Sequence, residues 1–279
     1  MWNLARPVHP FPEALPLLPS TYTDIQTSPT QNPMTAAFST HHSIFTPAWI
    51  VFFTLVCVPV AKAQSSDPGS GLSTDLSTPS SEEIETLDIA LFSQGQIDGW
   101  EERSFKGDTR YQLKSDDAQG TILHALSQGS ASVFAKRIKV DLTKTPYINW
   151  RWKIDNRLDG VSETTKSGDD FAARIYLVKT DGLFGRKSKA VNYVWSSNQS
   201  INTTWGNAYQ PKNSKMLAVR GIENKTGEWV SEKRNVALDF RQLFNQKIDT
   251  VDLVAIMTDT DNSGLTASAS YGDIYFSSQ

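Results

Sequence analysis

Three carboxylates, Asp259, Asp261 and Asp273, fall within one short stretch near the end of a 279-residue chain, Val254 to Phe276, which reads VAIMTDTDNSGLTASASYGDIYF. Asp259-Thr-Asp-Asn-Ser-Gly264 matches the first half of a calcium loop, in which alternate side-chain oxygens converge on the ion and a glycine makes the sharp turn. The second half of that pattern fails. Its twelfth position, where a bidentate acid belongs, is Ser270, so a calcium ion here would need Asp273 or a distant acid to complete its shell. The competing reading is an Asx-rich hairpin loop whose carboxylates bond their own backbone amides.

A second use of carboxylates is acid and base work on a glycosidic bond, which needs two of them a few ångströms apart. Asp170 and Asp259 are the candidate pair. Taken alone, Asp169 and Asp170 simply close the turn after Gly168, and the local Glu-x-Asp-x-x-Glu signature of sandwich glycosidases is absent. His124 is the sole histidine after residue 42, so neither a Ser-His-Asp arrangement nor a multi-histidine metal site can be assembled. Asp181-Gly-Leu-Phe-Gly185 lacks the spacing of a phosphate loop.

These side chains need strands to hold them, and the sequence supplies strands. Ile148, Trp150, Trp152 and Ile154 alternate with Tyr147, Asn149, Arg151 and Lys153, the period of a half-buried strand. Phe171, Ala173, Ile175 and Leu177 likewise alternate with Ala172, Arg174 and Tyr176. Other short extended runs lie at 111–113, 121–125, 132–138, 191–195, 216–220 and 230–236, with one short helix around Phe240 to Phe244. The expected fold is all-β: an antiparallel sandwich of jelly-roll type whose last strand pairs with its first. On that geometry Asn149, Arg151, Arg174 and Tyr176, joined by Arg220, form an outward basic face, with Asp170 a further ligand-binding candidate beside it. Arginine forks suit carboxylates or sulfates, and rings stack on sugars. Trp100, Trp195, Trp205 and Trp229 are the stacking candidates, each also a candidate for the core.

Ahead of this domain the composition changes. Residues 1–33 are Pro/Ser/Thr-rich and lack a period, which reads as disorder or a start placed too early. Residues 34–63 read as a signal peptide: an apolar core at 48–60, too short for an ordinary span, ends in Ala61-Lys-Ala63 before Gln64. Residues 64–86 have the composition of an acidic linker, which leaves 87–279 as the sandwich. Cleavage would place the chain in the periplasm or outside the cell without a membrane segment. It would also remove Cys57, the only cysteine, and with it any disulfide or thiolate chemistry. From Ile89 onward the chain is only slightly basic, too weakly to indicate nucleic acid. Nothing in the sequence sets an oligomeric state.

Several runs together resemble one family: Asp98-Gly-Trp100 with Phe105-Lys-Gly107, Trp150-Arg-Trp152, Gly168-Asp-Asp-Phe-Ala-Ala-Arg174, Asn192-Tyr-Val-Trp195, and Met257-Thr-Asp-Thr-Asp-Asn262 followed by Tyr271-Gly-Asp-Ile274. The chain is similar to the exported bacterial family catalogued as domain of unknown function 3047. The resemblance implies an exported β-sandwich with no assigned activity. More loosely, the opening Asp-Gly-Trp and the closing Asp-Ile-x-Phe strand are similar to carbohydrate-binding jelly rolls, which implies a shared structural calcium near the first and last strands. The expected function is a module that binds a polar ligand, a saccharide first of all, with calcium at Asp259, Asp261 and Asp273. The alternatives are a polysaccharide-acting enzyme using Asp170 and Asp259, and an envelope interaction protein in which these groups only brace loops.

Overall fold

Strand-forming runs and their turns build a two-layer sandwich in the computed structural model, which describes residues 83–181 and 187–279. The leader and all but the end of the linker lie outside the described residues. In chain order the strands are β1 (Thr86–Ala90), β2 (Trp100–Lys106), β3 (Arg110–Asp116), β4 (Gly120–Gln128), β5 (Ala131–Asp141), β6 (Tyr147–Ile154) and β7 (Phe171–Lys179). They continue with β8 (Lys189–Trp195), β9 (Thr204–Gly206), β10 (Ser214–Arg220), β11 (Val230–Asn235), β12 (Thr250–Asp259) and β13 (Thr266–Ser277). The expected all-β sandwich is what forms, with a single α-helix, α1 (Val236–Phe244), among the described residues. Asn235 caps it by accepting from the Leu238 amide at 2.9 Å, and Asn245 ends it in the left-handed region at φ 51°.

One sheet runs β11-β6-β13-β4-β3, with β1 alongside the last half of β13. First and last strands therefore pair, as the sequence suggested. The other sheet runs β2-β5-β12-β7-β8-β10-β9. All its pairs are antiparallel except β8–β10, because the edge strand β9 lies beyond β10 and turns the chain back between them.

Between the sheets the alternating residues of β6 meet those of β8. Trp150 stacks on Tyr193 at 5.4 Å, meets Trp152 edge-on at 5.4 Å, and Trp152 lies 5.8 Å from Trp195. Ile148, Trp150, Trp152 and Ile154 are buried while Arg151 is exposed, so the alternation of β6 holds. Trp195 and Trp100 are core side chains, not stacking platforms.

In β7 the alternation breaks. Met257 of β12 pairs with Arg174 and Asp259 with Phe171, so β7 carries one residue more than β12 between them, a β-bulge. Ala172 and Ala173 both join the main core. Phe171, expected on the core side, turns to the outer face with Arg174, its ring 5.0 Å from the guanidinium carbon. The bulge is tied from both sides: Thr258 donates to the Ala172 carbonyl at 2.8 Å, and the Tyr271 hydroxyl, reaching across from the opposite sheet, accepts from the Arg174 amide at 3.3 Å.

Candidate functional site

Three connections at one end of the sandwich, β4–β5, β6–β7 and β12–β13, each carry the chain from one sheet to the other. The Asp259–Gly264 loop is therefore an arch between layers and not the hairpin loop that the sequence suggested. Gly264 makes the turn at φ 72°, donating to the Thr260 carbonyl at 2.8 Å. The arch is sewn to its neighbours. The Thr260 amide donates to the Ser130 carbonyl at 2.9 Å and its hydroxyl meets Ser127 at 2.7 Å.

Asp170, from the β6–β7 connection, satisfies the arch's exposed donors. Its carboxylate accepts from the Ser263 amide at 2.6 Å and the Asn262 amide at 3.1 Å, with the Asn262 side chain at 3.0 Å. The loop's amides are thus held by an acid from another connection, where the Asx reading assigned them to the loop's own carboxylates. Beneath the arch, Arg174 donates to Asp259 Oδ2 at 2.5 Å with both side chains buried. Asp169 accepts from Asn207 at 2.9 Å. Tyr209 donates to Asn262 at 2.6 Å, and Lys106 to the Asp261 carbonyl at 2.5 Å.

Burial, reinforced by Asp169 and Asp170, pushes the Asp259 carboxyl up to about 8 against the pull of Arg174. Asp169 and Asp261 are raised chiefly by burial as well. Four carboxylates in this space are offset by Arg174 and Lys106. Several polar atoms here are buried without a hydrogen-bond partner: Arg174 Nε, Asp169 Oδ1, Asp259 Oδ1 and Trp205 Nε1.

The expected ligand face does not assemble. Asn149 and Arg151 are on β6 and Arg174 and Tyr176 on β7, and these strands belong to opposite sheets with the core between them. Arg220 leaves both faces and pairs with Glu232 of β11 at 2.5 Å. Arg174 and Tyr176 are only 6 and 4 % exposed, so what they offer is enclosed polar atoms and not the outward face expected. Asp273 is remote from the arch in its bonding, accepting from the Ser93 amide at 2.8 Å and its hydroxyl at 2.5 Å. Asp170 takes its place beside Asp259 and Asp261. Asp170 and Asp259 are 0 and 2 % exposed, Asp170 engaged with the arch amides and Asp259 with Arg174. His124 meets Ser268 at 3.2 Å, but Lys114 faces its other nitrogen at 3.1 Å, where a triad would need a carboxylate.

What does assemble is a face on the seven-stranded sheet, turned away from the core. One cross-strand row runs Arg103, Val133, Met257, Arg174, Val194, Ala218. The next runs Ala135, Ala255, Tyr176, Asn192, Met216, Trp205. Trp205 ends this row at the sheet's edge, 6.3 Å from the Phe171 ring. Trp229 lies on the other sheet, over Lys153 at 5.4 Å and donating to Asp116 at 3.2 Å.

Glu163 was not anticipated, because a lone acid in a polar loop carries no sequence signal. Fully buried, it accepts from the Ser196 hydroxyl and, at 2.5 Å, from the Ser197 amide, locking the β6–β7 connection to the segment after β8. Burial pushes its carboxyl above the usual range despite these donors. The folded chain then holds this proton more tightly than the unfolded chain does, so its contribution to stability falls as pH rises above about 4.3, the unfolded value. The loss ends once the folded-state carboxyl has ionised. Subtracting the Glu163→Gln melting profile from that of the parent should isolate this downward slope; parallel profiles would contradict it.

Residues 98–275 match the family described as "Protein of unknown function (DUF3047)". Comparison with curated proteins gives no match. Among solved structures the chain is similar to a family 11 carbohydrate-binding module of the cellulosomal cellulase Lic26A-Cel5E of Clostridium thermocellum, at 10% identity over 70% of this chain and 94% of that one, TM-score 0.38. A family 11 module from Clostridium thermocellum in complex with a beta-1,3-1,4-mixed-linked tetrasaccharide gives 10% over 69% and 94%, TM-score 0.36. The Endo-D glycoside hydrolase domain from Streptococcus pneumoniae gives 9% over 64% of this chain, TM-score 0.34, and the match spans only 22% of that chain.

Proposed function

Because the chain belongs to the DUF3047 family, whose description names no activity, its function has to be argued from its own side chains, and we propose that it is an exported module that binds a saccharide at the arch end of the seven-stranded sheet. One observation carries the reading: Arg174 Nε, Asp169 Oδ1 and Trp205 Nε1, two donors and an acceptor, are buried without partners in the neighbourhood of the Phe171 and Trp205 rings. Buried polar atoms are almost always bonded, so a cluster of unbonded ones calls for a guest. A guest that both donates and accepts, and has an apolar face to lay on a ring, is a hydroxyl-rich ring such as a sugar. Half-buried Trp205 and Tyr209 form the rim. Export rests on the 34–63 leader pattern, and the chain recovered from the cell envelope should begin at Gln64.

The test is a glycan array followed by titration of the strongest binder. Trp205→Ala is expected to weaken binding at least about tenfold, near 1.4 kcal/mol, while Arg151→Ala, on the opposite sheet, leaves it unchanged. A blank array, or loss of binding in Arg151→Ala, would sink the reading.

A further inference from the structure

We propose that Asp170, Asp259 and Asp261 form a binding site for a divalent cation of the calcium class, held between the β6–β7 connection and the β12–β13 arch. Each offers a ligand oxygen, and the three oxygens lie within 4.8 Å of one another. The second observation is Asp259 itself. Its side chain is only 3% exposed; Oδ2 is spent on Arg174, and Oδ1 is buried with no hydrogen-bond partner. A buried carboxylate oxygen in that position has no cation or donor of its own, which Oδ2 has in Arg174. Charge points the same way. With all four carboxyls ionised, Asp169, Asp170, Asp259 and Asp261 against Arg174 and Lys106 leave two negative charges, which one divalent ion cancels on displacing any proton that burial holds there.

All the donors are carboxylate oxygens, which select a hard cation over zinc or copper. They come from two connections and a strand end, not from one rigid loop. That suits calcium, which accepts varied geometry with six to eight oxygens, better than magnesium, which demands a near-ideal octahedron. The Asp261 carboxylate accepts from the neighbouring Asn262 side chain at 3.2 Å and from its own backbone amide, bonds within its own loop that leave it available to an ion. The ligand set differs from the one the loop sequence suggested: Asp170 enters, and Asp273 is engaged with Ser93.

The cation site does not rest on the saccharide reading. A cation effect with a blank glycan array would remove only that reading, and sugar binding without a cation effect would remove only this one. The test is thermal melting of the full chain in chelator and then in saturating CaCl2, alongside terbium emission sensitised by the aromatic rings nearby. Calcium at about a hundred times its Kd is expected to raise Tm by roughly 5–10 °C. Asp261→Asn should fold, lose that shift and lose the calcium-competed terbium signal, whereas Asp273→Asn keeps both. If Asp261→Asn fails to fold, Asp261→Ser serves in its place. No shift in the parent chain, an undiminished shift in the Asp261 variants, or its loss in Asp273→Asn would overturn the site.

Discussion

Arg174→Ala is expected to destabilise the fold by about 3–5 kcal/mol, among the largest effects any single substitution outside the core should have. Its guanidinium sits 2.5 Å from Asp259 with both side chains buried. Removing it takes away the one charge that opposes burial, so the Asp259 carboxyl, with one oxygen already unpartnered, must either stay charged without a counter-ion beside Asp169 and Asp170 or take up a proton. Burying two opposite charges yields little net stability, but burying one alone is costly. The asymmetry gives the check. Arg174→Met combined with Asp259→Leu should recover most of the loss, because the pair is then replaced by apolar groups of similar volume. Urea unfolding of the parent and the two variants, measured in chelator, decides it. A double variant as unstable as Arg174→Ala would show that the pair acts through something other than its charge.

Trp152→Ala should cost about as much, about 3–5 kcal/mol, for a different reason. Its side chain is 0 % exposed, meets Trp150 edge-on and Trp195 at 5.8 Å across the interface between sheets, and donates to Glu232 at 3.1 Å. Truncation opens a cavity at the centre of a large aromatic cluster that joins the two layers, and a core that close-packed relaxes little to fill it. Glu232 retains Arg220, so the lost hydrogen bond is the smaller part. Trp229→Ala, on the half-buried outer side of the same sheet, is the control and should cost far less. Denaturation midpoints at unchanged m-value separate the two.

The side each residue takes within a strand was legible for β6, and so were the strand-rich composition, the short helix and the pairing of first with last. Period-2 alternation follows from the pleat alone. It says nothing about which layer a strand joins, and that is where the expected ligand face failed: β6 and β7 are consecutive but lie on opposite sides of the core, which divides Arg151 from Arg174. The bulge in β7 was unreadable because Ala172 and Ala173 are both small enough to face inward. Asp259 and Asp261 were correctly singled out as neighbours. Asp170 was read as a turn residue, a ligand-binding candidate or a catalytic partner and not as a brace for the arch, since its bonds to the Asn262 and Ser263 amides depend on two distant connections meeting at one end of the sandwich. Asp273 was misplaced because closeness in sequence across an arch is not closeness in space. Strands β12 and β13 diverge into different sheets.

Two indole N–H groups report directly on where a guest sits. Trp205 Nε1 is buried without a partner on the seven-stranded sheet, and Trp229 Nε1 donates to Asp116 on the other. The measurement is a proton–nitrogen correlation spectrum of the labelled chain, titrated with its strongest glycan-array binder, the two indole signals being assigned from Trp205→Phe and Trp229→Phe. The Trp205 signal should move as its N–H gains an acceptor, and the Trp229 signal should stay still. Movement of Trp229 with Trp205 unchanged would place the ligand on the opposite sheet and contradict the account.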